Sequence, residues 1–170
     1  KAYRLELGQE TPEGAGPFHL PLEVALVDSQ GRELPGSARV LELADERQEV
    51  VLEGVEEEPA FASLNRGGSF YGLLERPDAA LAELARQARL DPDLFNRVEA
   101  ARALTDRERV RLMTGQAQAP DPGWLELWGG LLAQEAPPGV KSYLLRIEEQ
   151  PLDRRYIAWY REMVEAHETL

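Results

Sequence analysis

Apolar and polar positions alternate at the start of the chain. Tyr3, Leu5 and Leu7 are separated by Arg4 and Glu6, the period of two that a half-buried strand requires. QETPEGAGP (Gln9–Pro17) reads as a loop. FHLPLEVALVD (Phe18–Asp28) predicts a long strand, with Pro21 at an edge or bulge because proline donates nothing to a ladder. Asp28-Ser29-Gln30-Gly31 predicts a hairpin turn. Val40, Leu41 and Leu43 predict a third strand, and Val50, Val51 and Leu52 a fourth that ends before Gly54. After the charged loop Glu56-Glu57-Glu58-Pro59, Phe70, Tyr71, Leu73 and Leu74 predict a last strand. Short strands, turns between them and no helix predict a small antiparallel β-sandwich over residues 1–76.

Near Pro77 the period changes from 2 to 3.6, which places a boundary at Glu75–Asp78 and a helical segment over 77–170. Asp78 is the expected cap of a first helix, with Leu81, Leu84, Ala85 and Ala88 on one face. Asp91 is the expected cap of a second, with Pro92 in its first turn. Leu94, Phe95, Val98 and Ala101 form its apolar stripe, and Asp93 and Arg97 an i,i+4 pair. Thr105-Asp106-Arg107-Glu108 has the form of a capping box and predicts a third helix stopping near Gly115. QAQAPDPG (Gln116–Gly123) reads as a linker. Trp124, Leu125, Trp128, Leu131 and Leu132 mark a fourth helix, broken by Pro137-Pro138. Tyr143, Leu144 and Ile147 mark a fifth. Pro151 separates a sixth, with Tyr156, Ile157, Tyr160, Val164 and His167 on one side. The expected class is therefore β followed by α: a sandwich, then the start of an α-solenoid-like domain or irregular bundle.

Composition narrows the function. The chain has 170 residues and a mass of 19.0 kDa, with 31 acids against 19 Lys plus Arg. The net charge is −12 and the pI near 4.7, which disfavours nucleic acid and anionic membrane surfaces as partners. A hydrophobic fraction of 43% supports a real core. No apolar run approaches the ~18 residues of a membrane span. No basic-then-apolar leader is visible, so a cytoplasmic location is expected. A chain that starts at Lys1 is expected to be a fragment or a processed product.

Cysteine is absent, which removes disulfides, thiol nucleophiles and Cys-based zinc or iron–sulfur sites. Only His19 and His167 remain as imidazoles. His167-Glu168-Thr169-Leu170 is one His short of His-Glu-x-x-His, and the bland reading is a solvated helix end. His19 reads as a core or loop histidine. Asn65-Arg66-Gly67-Gly68 precedes an expected strand rather than a helix, so a turn or bulge is preferred to a phosphate loop. Glu56–Glu58 lacks the ligand spacing of a calcium loop. Trp124 and Trp128 alternate with Leu and read as core. No carboxylate pair stands out for acid–base work, so no catalytic or metal-binding residue is assigned.

Three ordered stretches carry a resemblance. FHLPLEVALVDSQGRELPG is similar to the Pro-Phe-His-Ile-Pro strand and hairpin that open the immunoglobulin-like domain of the bacterial aminopeptidase N family. VLELADERQEVVLEGVEEEPAFASLNRG resembles its following strands, ending in a Pro and then Ser-Leu-Asn-Arg-Gly, here Pro59, Ser63, Leu64, Asn65, Arg66 and Gly67. LDPDLFNRVEAARAL resembles the Asp-Pro-Phe-Asn-Arg-Trp-Glu-Ala helix that opens the family's C-terminal helical domain, matched at Phe95, Asn96, Arg97, Glu99 and Ala100. Together these span about residues 17–104. Gly68-Ser69-Phe70-Tyr71 stands where the family has Phe-Ser-Ala-Pro, and Val98 where it has Trp.

The resemblance implies a non-catalytic C-terminal portion of a zinc-dependent aminopeptidase, an enzyme that releases N-terminal amino acids from peptides. The family's sandwich is a spacer and its helical domain part of a cap over the active site. The zinc helix, the further Glu ligand and the Gly-Ala-Met-Glu-Asn motif precede this region in the family. No residue here therefore inherits a catalytic, zinc or substrate role, and no cofactor is expected in this chain. The implied partners are the parent's catalytic domain and, for the parent, peptides. The alternatives are a free-standing, non-enzymatic interaction module and, further off, a hydrolase that uses its own carboxylates.

Overall fold

The strands that alternate in sequence pair across two sheets. The computed structural model describes residues 2–147 and 154–170. Among these, the strands are β1 (Ala2–Gly8), β2 (Leu20–Val27), β3 (Arg39–Leu43), β4 (Arg47–Glu53) and β5 (Phe61–Leu64). β1 and β4 form an antiparallel pair with Leu5 opposite Val50. β3, β2 and β5 form a second antiparallel sheet with β2 in the middle. Leu5, Leu22, Val24, Leu26, Leu41, Leu52, Ala62 and Leu64 meet in one apolar core, so the two sheets face each other as a sandwich.

Pro21 sits where its missing N–H costs nothing. β5 pairs only with Val24–Val27, so one side of β2 is open at Pro21. The Glu23 N–H on that side is taken by Ser69 Oγ at 3.0 Å. Two residues earlier, the same side asks Pro21 for no donor.

The hairpin after β2 is closed by Asp28. Its Oδ1 accepts the Gln30 and Arg32 N–H groups at 2.7 and 2.9 Å, and Gly31 takes φ 79°. Gly31 is also close-packed: a Cβ there would lie 2.6 Å from the Leu90 carbonyl oxygen.

The expected last strand is not one. Residues 70–74 are irregular, and Tyr71 and Leu73 are 107% and 89% exposed. Gly67 and Gly68 at positive φ turn the chain away just before it. The strand that completes the sheet is β5, and all four of its residues are buried. Ala62 and Leu64 face the sandwich core, while Phe61 and Ser63 face the other side. Burial on both faces erases the alternation by which a strand is read.

The helices are α1 (Leu81–Leu90), α2 (Leu94–Met113), α3 (Pro122–Ala133), α4 (Pro138–Leu144) and α5 (Tyr160–Thr169). α1 starts three residues beyond Asp78, and Ala80 O accepts the Leu84 N–H, so Asp78 is not its cap. Leu84 and Ala88 are buried as expected; Leu81 is exposed. α2 is capped by Asp93, whose Oδ1 accepts the Asn96 N–H at 2.9 Å, not by Asp91. Its buried face runs through Asn96, Ala100, Leu104, Glu108 and Arg109, leaving Leu94 and Phe95 largely exposed.

Thr105 does not open a third helix. It lies inside α2, with its hydroxyl donated to Ala101 O at 2.9 Å. Thr-x-x-Glu is a capping box only where the chain enters a helix; here it is one turn of a continuing one. α2 stops at Gly115, φ 73°. The Gln116 N–H reaches Arg111 O at 2.9 Å and the Gly115 N–H reaches Leu112 O at 3.0 Å, a Schellman end.

α3 begins inside the expected linker, because Asp121 caps it through the Gly123 N–H at 2.8 Å with Pro122 following. Trp124, Leu127 and Leu131 are buried, while Leu125 and Leu132 are exposed. In α4, Leu144 is buried and Tyr143 exposed. The expected break at Pro151 lies outside the described residues. Arg154–Trp159 is a 3-10 segment leading into α5, on which Ala166 is buried and Tyr160 and Val164 are not.

Spatially the chain forms two units. One comprises the residues up to Ala79 together with Leu90–Asn96. The other comprises Ala80–Arg89 and the chain from Arg97 onward.

Candidate functional site

In the first unit the polar side chains gather at one place. Ser63, on the outer face of β5, is fully buried. Its hydroxyl donates to Asp91 Oδ1 at 3.0 Å and accepts from Asn96 Nδ2 at 2.9 Å. Asp91 Oδ1 also accepts the Asp93 N–H at 2.9 Å, the local turn that aims the chain into α2. Asp93 Oδ2 accepts the Gly67 N–H at 3.0 Å. Asn65, φ 55°, is buried in left-handed backbone, and its Oδ1 gathers Ser69 Oγ and the Phe70 N–H at 3.0 and 3.1 Å. Asn tolerates that conformation better than most residues.

In the second unit Glu108, Arg111, Asp121 and Trp124 are among the residues lining a groove of about 310 Å³. Glu108 Oε1 accepts the Asp121 N–H at 2.8 Å, and Oε2 accepts Arg111 Nη1 at 2.5 Å. The Trp124 indole N–H donates to Thr105 Oγ1 at 3.2 Å. Trp124 and Trp128 meet edge to face, centroids 5.4 Å apart. Arg109, only 1% exposed, holds Asp106 Oδ1 at 2.7 Å.

Each of these groups holds a turn, a helix end or a neighbouring side chain. The oxygens of Glu108 and Asp91 hold helix ends and turns together. The Arg32 N–H, with help from the Gln30 N–H and the Arg32 guanidinium and against partial burial, holds the Asp28 carboxyl below the usual carboxylate range.

The residues flagged in sequence fall apart in space. His19 is exposed beside Glu42, Nδ1 to Oε1 3.4 Å, a loop position before β2. His167 lies on α5, in the other unit. Glu56 and Glu57 line a shallow depression with Leu34 and Val55. Asn65–Gly68 is a 3-10 turn, and irregular chain follows it where a strand was expected. Trp124 is core, not a surface platform. Among the described residues no three His, Asp or Glu side chains converge as metal ligands. The Ser63–Asp91–Asn96 cluster leaves no local pattern in the sequence, because Ser63 lies 28 and 33 residues from its partners and sits in a strand buried on both faces. The only sequence signal was that Ser63 and Asn96 each fall in a stretch carrying the family resemblance.

A sandwich of immunoglobulin type is followed along the chain by helices, and the buried Ser63, Asp91 and Glu108 are engaged in turns and helix ends. Residues 1–77 match a domain of unknown function (DUF3458) with an Ig-like fold. Residues 81–169, more than half the chain, match its companion (DUF3458_C), described as ARM repeats. The chain belongs to this DUF3458 family.

The crystal structure of Legionella pneumophila aminopeptidase A in complex with aspartic acid is similar to it, with a TM-score of 0.75 at 21% identity. The match covers 99% of this chain and 19% of that one, so the chain spans about a fifth of that protein's length. At this identity the likeness is one of fold. A search of curated proteins finds no match.

Proposed function

We propose that the chain is the non-catalytic C-terminal portion of a zinc-dependent aminopeptidase, acting as spacer and as part of the cap over the active site. The observation that carries the reading is the span of the structural match. Nearly the whole chain, sandwich and helices in the same order, corresponds to a fifth of a solved aminopeptidase. The motif resemblance at Ser63–Gly67 and Phe95–Ala100 points the same way independently.

On this reading the zinc, its ligands and the catalytic Glu belong to residues upstream of this chain. The sandwich holds the helical part at a distance from them, and the helices restrict entry to peptides with free N-termini. The partner of this chain is the catalytic domain of its own parent, and peptides are the parent's substrates. The parent works in the cytoplasm.

The coding sequence upstream of Lys1 tests the proposal. It is expected to continue in frame into His-Glu-x-x-His with a further Glu downstream of it. An initiator Met immediately before Lys1, with a stop after Leu170, would overturn the proposal in favour of a free-standing interaction module.

A further inference from the structure

The segment Leu90–Asn96 closes α1 and opens α2 in sequence, yet belongs to the sheet unit in space. The outer face of the β2–β5 pair explains why. Ala25, Val27, Phe61 and Ser63 point away from the sandwich core and are all buried, none more than 2% exposed. A sandwich sheet usually leaves its outer face wet. Leu90–Asn96 meets the sheet unit at three points, of which Ser63 lies on that face. Ser63 binds Asp91 and Asn96. Asp93 binds the Gly67 N–H. The Leu90 carbonyl approaches Gly31 so closely that only a glycine fits. By contrast residues 70–78, the covalent link leading to α1, are irregular and almost all exposed.

We propose that Leu90–Asn96 is a clasp: it completes the sheet unit, and the exposed loop before α1 is a tether whose scission leaves the two pieces joined. The clasp is read by two different chemistries, a buried hydroxyl between a carboxylate and an amide, and a backbone approach that excludes a Cβ.

The test uses the full chain with a site-specific protease sequence inserted after Gly72. After cutting, the pieces are expected to co-elute on gel filtration in native buffer and to separate in urea. Separation in native buffer overturns the proposal. In the cut chain, Ser63→Ala with Asn96→Ala is expected to weaken association at least about tenfold, the loss expected when buried partners go unpaired. An unchanged affinity overturns it, since the pieces would then be held elsewhere. Should that variant not fold, Gly31→Ala and Gly36→Ala in the uncut chain serve instead. Both put a Cβ on left-handed backbone, φ 79° and 72°, but only Gly31 has a neighbour within 4 Å. The unfolding equilibrium of Gly31→Ala is expected to exceed that of Gly36→Ala at least about tenfold, and equal values overturn the clasp.

Discussion

Ser63 shows how much one hydroxyl decides when it is buried. It is the only polar side chain on β5, and both its lone pair and its proton are used. Ser63→Ala removes a partner from Asp91 and from Asn96 together, so a loss of about 1–3 kcal/mol is expected in urea unfolding. A loss under ~0.5 kcal/mol would mean water replaces the hydroxyl. Asp28 gives a pH signature instead. Its carboxyl is held below the usual range in the folded state, so its stabilising effect is complete above the unfolded value, about pH 4, and disappears as pH falls through the folded value. Urea midpoints at pH 5 and pH 3 should therefore fall further in the wild type than in Asp28→Asn; equal falls would show that the turn does not need the charge. The Asp28 turn was legible in sequence because all its contacts are local. Ser63 was not, because a lone Ser in an apolar run carries no mark of a partner 28 residues away.

At the scale of elements, β1 to β4 and the end of α2 follow from periodicity and glycine placement. Two errors have one cause: a local motif was read without knowing what covers it. Phe70–Leu74 has strand-forming residues and no neighbour to pair with, whereas Phe61–Leu64 has a neighbour on one edge and cover on both faces. Phe61→Ala should thus cost about 3–5 kcal/mol, and Tyr71→Ser less than about 0.5 kcal/mol, by the same unfolding measurement. The reverse ranking would restore the expected last strand. Thr105–Glu108 has the residues of a helix start, but α2 runs through it. The two readings separate at Asp106. Proline is welcome at the first position of a helix and costs about 3 kcal/mol or more inside one. Asp106→Pro is expected to show the larger loss; a change under about 1 kcal/mol would restore the break.

At the scale of the whole molecule, the order of sandwich and helices was legible in the switch of period at Pro77, because each period reports which faces a segment buries. The spatial division was not, because Leu90–Asn96 rejoins the sheet unit through contacts that no local pattern encodes. For function, the likeness to an aminopeptidase was legible in the three stretches over about residues 17–104. The structure adds that the two histidines lie in different units and that the buried Glu108 holds the Asp121 N–H at the start of α3. The most direct test of this account is hydrolysis of amino-acid anilides by this 170-residue chain beside the protein from its full reading frame, each with and without added zinc. The account predicts no turnover by the chain in either condition, and turnover by the full protein that a chelator abolishes and zinc restores. A steady rate from the chain itself, lost on changing His167 or Glu168, would contradict it.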